Sequence, residues 1–251
     1  YDVAKIERWI PDQDEIKSVS INVYGEGYGS GSVDDVQGVG AVVKLHEKLI
    51  EDKEELQQAY AKYCTADRLG DVSYYNIEIV YRLDGGKEVM RSYEVPVTEE
   101  LLEQEDSPAA LLNEAVNSPS MIQARNISPK ATSDILGGYI GAGRGEYYEE
   151  YFLDQQDAQK LYDALLADIE AGALGKMALI YNEQYYESAL NAYIVIEYRY
   201  TADSTDETMS IAQYGYEINK NCLNTITVLE NLNGLDDRAL LTLFQQEYEA
   251  A

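Results

Sequence analysis

The side chains with the widest chemical reach are few. His46 is the only histidine, Cys64 and Cys222 are the only cysteines, and 46 acids stand against 19 bases. With no second histidine, a histidine-based zinc site cannot be started. Any Ser-His-Asp or Cys-His dyad would have to use His46. That residue sits mid-helix and aligns with Tyr162 in the internal repeat described below, which marks it as a packing position and not as a general base. The cysteines form no CxxC motif, and two are too few for a disulfide scaffold. They are expected to be unpaired, half-buried thiols; a Cys64–Cys222 bridge is the alternative in an exported protein.

The acids fall into clusters: Asp12/Asp14/Glu15, Asp34/Asp35, Glu99/Glu100/Glu103, Glu149/Glu150, Asp203/Asp206/Glu207 and Asp236/Asp237. A calcium loop needs alternating oxygen ligands closed by a glutamate. The nearest approach, Asp203-Ser204-Thr205-Asp206-Glu207, lacks that template. Glycoside hydrolysis needs two carboxylates across a cleft, but 46 acids single out no pair. A solvated, self-repelling surface is the expectation. No catalytic residue, metal ligand or cofactor is therefore assigned.

Two glycine-rich stretches invite a phosphate-loop reading, Gly25-Glu26-Gly27-Tyr28-Gly29-Ser30-Gly31 and Gly137-Gly138-Tyr139-Ile140-Gly141-Ala142-Gly143-Arg144-Gly145. Neither is followed by Gly-Lys-Ser/Thr, and neither has the strand-turn-helix setting of a dinucleotide fingerprint. Glu26, Asp34 and Asp35 would repel phosphate. Both stretches read as surface loops ahead of a helix, equivalent to each other, and as the first guess for a contact surface.

These residues need elements to hold them, and an internal repeat supplies the plan. Lys44–Asp52 and Lys160–Asp168 share the pattern K-L-aromatic-acid-x-L-aliphatic-x-D. Ile77–Leu83 then aligns with Ile194–Tyr200, and Tyr93-Glu94-Val95 with Tyr216-Glu217-Ile218, in the same order. Val42, Leu45, Leu49 and Leu56 follow helical spacing, as do Leu161, Leu165 and Ile169. Asp154 or Asp157 can cap or complement the second helix, and Gly172 stands where a left-handed residue ends it. Ile77, Ile79, Tyr81 and Leu83 alternate, turn at Asp84-Gly85-Gly86-Lys87 and return through Val89 to Val95. Ile194 to Tyr200 and Ile211 to Ile218 repeat the hairpin around a looser turn, Ala202–Asp206.

A helix follows each hairpin, Ala109–Val116 and Leu223–Leu232, and Asp236–Tyr248 adds a terminal one. Val19, Ile21 and Val23 open the first unit as a strand; Tyr147–Leu153 is the counterpart suggested for the second. The expected class is α+β: two similar strand-helix-hairpin-helix units with helices on one face of antiparallel sheets. The boundary falls near residues 117–134, marked by Asn117-Ser118-Pro119-Ser120 and Ser128-Pro129-Lys130. This gives units 1–125 and 126–251.

Composition bounds the setting. The formal charge of −27 opposes binding to nucleic acid or to an anionic membrane surface. Hydrophobic residues at 45% supply enough apolar material for packed cores, so acidity does not imply disorder. No apolar run approaches the ~18 residues of a membrane span, so the chain is expected to stay in water. It starts at Tyr1 without an initiator methionine, basic region or apolar leader, which reads as a mature product or an excised piece. Its 23 tyrosines against Phe152, Phe244 and Trp9 suit half-buried sheet faces and wet binding surfaces.

Three segments carry a resemblance: Val3–Asp12 with Ile16–Val19, Lys44–Ile50, and the I-x-Y-R-L-x-x-G-x-x-x-x-R-x-Y hairpin from Ile79 to Tyr93. Together they resemble an extracytoplasmic domain of unknown function that ends ABC-type exporter permeases of Firmicutes. The resemblance covers nearly the whole chain, and that family lends no catalytic residues. It implies a non-enzymatic recognition or accessory domain on the extracellular face of the cell membrane. Its partners would be the membrane-embedded permease portion of the same chain and a cationic peptide or small ligand, but not nucleic acid. The alternatives are a secreted or lipid-anchored hydrolase using a carboxylate pair, and a structural spacer.

Overall fold

A computed structural model describes residues 9–25, 28–54, 56–58, 73–126, 134–142, 149–180, 189–201 and 209–232. The class is α+β, built on two four-stranded antiparallel sheets. The chain divides into two compact units: Tyr1–Arg125 with Gly175–Tyr181, and Asn126–Leu174 with Asn182–Ala251. Among the described residues no helix is long and apolar enough to cross a membrane.

The first unit holds β1 (Ile16–Tyr24), β2 (Tyr28–Val33), α1 (Val36–Glu51), β3 (Ser73–Leu83), β4 (Glu88–Val97) and three short helices: α2 (Glu99–Glu103), α3 (Pro108–Val116) and α4 (Pro119–Asn126). Its strand order is β2-β1-β3-β4. Alternation decides the faces: Val19, Ile21 and Val23 of β1 and Tyr75, Ile77, Ile79 and Tyr81 of β3 point to one core. Helix α1 covers it with Val39, Val42, Val43, Leu45 and Leu49, and each such side chain contributes roughly 1.5–3 kcal/mol on burial. Asp35 starts α1 by accepting the Gln37 and Gly38 amides, and Lys48 bridges Asp52 at its end. The hairpin β3–β4 turns on Gly85 and Gly86, both at positive φ, where glycine carries no steric penalty. Pro96 sits in β4, an edge strand that can spare a donor.

Residues 175–181 complete this unit. Leu179 is buried in its core, and the Tyr75 hydroxyl donates to the Leu179 carbonyl at 2.8 Å. The Asn117 side chain brackets Met177, donating to its carbonyl at 3.0 Å and accepting from its amide at 2.7 Å. Arg125 donates to the carbonyls of Val116 and Gly175.

The second unit holds β5 (Asp134–Ala142), β6 (Glu149–Leu153), α5 (Gln155–Glu170), β7 (Ala189–Thr201), β8 (Met209–Asn219) and α6 (Leu223–Leu229). Its strand order is β6-β5-β7-β8. Ile140, Leu161, Leu165, Ile194 and Ile196 are fully buried. Asp154 caps α5 by accepting the Asp157 amide at 2.9 Å. Gly172, at φ 71, ends it in the left-handed conformation, with the Ala173 amide returning to the Asp168 carbonyl.

The glycine-rich stretches depart from the loop expectation, because both run into strands. Tyr28–Val33 is the edge strand β2, and Asp134–Ala142 is β5, an inner strand. The counterpart of β1 is therefore β5, while β6 takes the place of β2: Val23 pairs with Ile77 as Ile140 pairs with Ile194. Glycine hides the alternation but permits close approach. A Cβ on Gly31 would collide with Met121 Sδ, and one on Gly138 with the Val195 carbonyl. The suggested Ala202–Asp206 turn, the Asp236–Tyr248 helix, Cys64 and Gly143–Gly145 lie outside the described residues.

Candidate functional site

His46 projects from α1 onto the sheet and is fully buried. Its Nδ1 meets the Tyr81 hydroxyl at 2.9 Å and its Nε2 meets the Tyr93 hydroxyl at 2.6 Å. The rings pack as well: Tyr81 stacks at 5.6 Å between centroids, and Tyr93 meets the imidazole edge-on at 5.4 Å. Burial, reinforced by the Arg91 guanidinium, lowers the His46 pKa to about 4. Burial also pushes the Tyr81 hydroxyl well above its ordinary range. The imidazole is thus neutral at physiological pH, one nitrogen donating and the other accepting. Both are committed to tyrosines, which leaves no lone pair for a substrate proton. This bears out the packing position expected for His46.

The second unit buries a different polar centre. Asp168, in the last turn of α5, is 1% exposed. It accepts from Thr225 N at 2.8 Å, Thr225 Oγ1 at 2.6 Å, Asn224 N at 3.1 Å and Asn224 Nδ2 at 2.9 Å. The residue preceding α6, Cys222, makes no side-chain cap. Asp168 therefore satisfies the free amides of α6 from another helix. Cys222 itself is a free, buried thiol, pushed up to about 11 by burial and correspondingly poor in thiolate.

The sheet faces turned away from the cores differ in chemistry. In the first sheet Ser30, Asn22, Glu78 and Ser92 stand in one cross-strand row. Ser30 donates to Asn22 at 2.7 Å, and Tyr24 donates to Glu78 at 3.4 Å. In the second sheet the row in the same place is Phe152, Tyr139, Val195 and Gly215, and of these Val195 is buried. Phe152 is 82% exposed. Its ring lies 6.2 Å from that of Tyr139, which meets Tyr193 edge-on at 6.0 Å. The hydrogen bond between the Tyr139 and Tyr193 hydroxyls leads the causes that push the Tyr139 hydroxyl up to about 12, with Glu150 adding to it.

The other sequence candidates are dispersed. Asp35 is a helix cap, held below its ordinary range chiefly by the Gly38 amide. Glu99 and Glu100 occupy the first turn of α2, where acids suit the positive helix end. Asp14 and Glu15 belong to a single 3-10 turn at Gln13–Glu15. Asp203, Asp206, Asp236 and Asp237 lie outside the described residues. Among the described residues no group of three or more His, Cys, Asp and Glu is placed to hold a metal. Sequence reasoning missed the aromatic row, although the rarity of phenylalanine made Phe152 conspicuous. Compared with family models, with curated protein sequences and with solved structures, the chain matches none.

Proposed function

We propose that this chain is a non-enzymatic recognition domain, an acidic accessory module on the extracellular face of a bacterial membrane protein of the ABC exporter permease kind, and that it holds cationic peptide segments. One observation carries this reading. Among the described residues, the side chains best suited to catalysis, His46, Asp168 and Cys222, are buried in structural hydrogen bonds, while the chain keeps a charge of −27. Such a field draws in cations and repels anionic partners. The resemblance of Val3–Val19 and the Ile79–Tyr93 hairpin supports the tether to a permease.

Titrating the protein with an arginine-rich peptide tests recognition. Affinity should fall steeply from low salt to about 0.5 M, where screening acts within ~4 Å. Affinity that ignores salt, or no binding in low salt, sinks it. Placement is tested separately: protease added to intact producing cells should cut the domain, and full protection until lysis would reject the extracellular assignment.

A further inference from the structure

The geometry points to the outer face of the second sheet, around Tyr139, Phe152 and Tyr193, as the surface that holds an extended peptide carrying Arg or Lys at alternate positions. This rests on the recognition reading above and narrows it to one place.

Three observations carry it. Aromatic rings stand in series here, with centroids 6.2 Å and 6.0 Å apart. Side chains two residues apart on an extended strand are separated by about 6.8 Å, so alternate residues of such a peptide fall close to one per ring. Carboxylates flank the rings: register and alternation place Glu150 beside Gly141, and Glu217 opposite Tyr193, on the same face. Glu197 follows one row further along, opposite Gln213. The cation at the far end of β7, Arg199, is registered against Asp134. An aromatic surface rimmed by carboxylates favours guanidinium and ammonium groups, which gain from the ring quadrupole and the acids together.

The equivalent row of the first sheet sharpens the point. Ser30, Asn22 and Glu78 bond to one another there, whereas Phe152 is 82% exposed to water. Self-association through the aromatic face is disfavoured, since a second copy brings another −27 charges against the same acids.

The test uses the whole chain and an octapeptide of alternating arginine and serine, with affinity read by titration in low salt. Phe152→Ala should weaken binding roughly fivefold and Phe152→Ala with Tyr139→Ala about twentyfold, as cation–π contacts of this kind imply. Glu150→Gln with Glu217→Gln should weaken it by about tenfold. Glu99→Gln with Glu100→Gln, which removes the same charge from α2, should change it less than twofold. Unchanged affinity in the Phe152 and Tyr139 variants, with salt-dependent binding intact, overturns this surface and leaves the recognition reading standing. Absence of any binding by the unmodified chain removes both. Tight binding of a neutral oligosaccharide on the same residues, or dimerisation that Phe152→Ala abolishes, also overturns it. Circular dichroism of each variant separates lost contact from lost folding.

Discussion

The two sheets share a strand order, and they solve the same local problems with different residues. Under the first helix, His46 sits between Tyr81 and Tyr93; the residues that align with these three in the sequence of the second unit are Tyr162, Tyr198 and Tyr216. Helix α3 of the first unit is capped locally, by Ser107 accepting the Ala110 amide at 3.0 Å. Helix α6 of the second is capped by Asp168, 57 residues earlier in the chain. On the outer faces, a hydrogen-bonded polar row stands in one, and in the other an aromatic row in which Phe152 is exposed and Val195 buried. The same strand order thus accommodates polar and aromatic groups of quite different identity.

The largest effect should come from removing the distant cap. Asp168→Ala leaves the Thr225 and Asn224 donors unsatisfied, and a cost of about 4 kcal/mol is expected. Trp9, the sole tryptophan, lies in the first unit, so its fluorescence reports that unit. The loss should appear in the circular dichroism transition and leave the Trp9 transition in place. If both move together, the separate accounting of the two units fails.

Acid should then single out the first unit. An unfolded histidine takes up its proton near pH ~6.5, while folded His46 does so near pH 4. Between those values the unfolded chain binds more protons, so stability rises with pH and is lost on acidification by up to about 3 kcal/mol. Below that window the folded form titrates too and the loss levels off. His46→Leu should cost about 2 kcal/mol at neutral pH through the stranded, buried Tyr81 hydroxyl, and should abolish the difference across the window. Parallel pH curves for the variant and the unmodified chain would refute the neutral imidazole.

Ser107→Ala should cost about 1 kcal/mol, the usual value of a local cap. A loss as large as that of Asp168→Ala would erase the contrast between local and distant capping. Smallest of all should be Arg82→Ala. Its guanidinium meets Glu88 at 2.8 Å and 3.0 Å, but both side chains are more than half exposed. Less than about 0.5 kcal/mol is expected in denaturant titrations.

What the amino acids announced was set by period and by local chemistry. Helices α1 and α5, both main hairpins, the Asp154 cap and the Gly172 stop all follow from short-range patterns, and the structure has each of them. Strands β2 and β5 escaped because Gly29, Gly31, Gly137, Gly138 and Gly141 erase the alternation that marks a strand. Their reason lies in residues far away: Met121 above Gly31 and the Val195 carbonyl against Gly138. The link from Asp168 to Thr225 was unreadable for a related reason, since a cap supplied from another helix leaves no spacing signature. The aromatic row depends on cross-strand register, which becomes visible only once β5 is known to be a strand.

The strap at 175–181 carries a consequence for synthesis. A ribosome releases the amino terminus first, and folding usually keeps pace unit by unit at ~5–20 residues per second. Here Tyr75 and Asn117 wait for Leu179 and Met177, which emerge only after α5 has been made. The unit translated first therefore spends several seconds with its last apolar segment missing, on the order expected from that rate. A nascent chain halted near residue 130 would expose part of a core that the finished protein conceals.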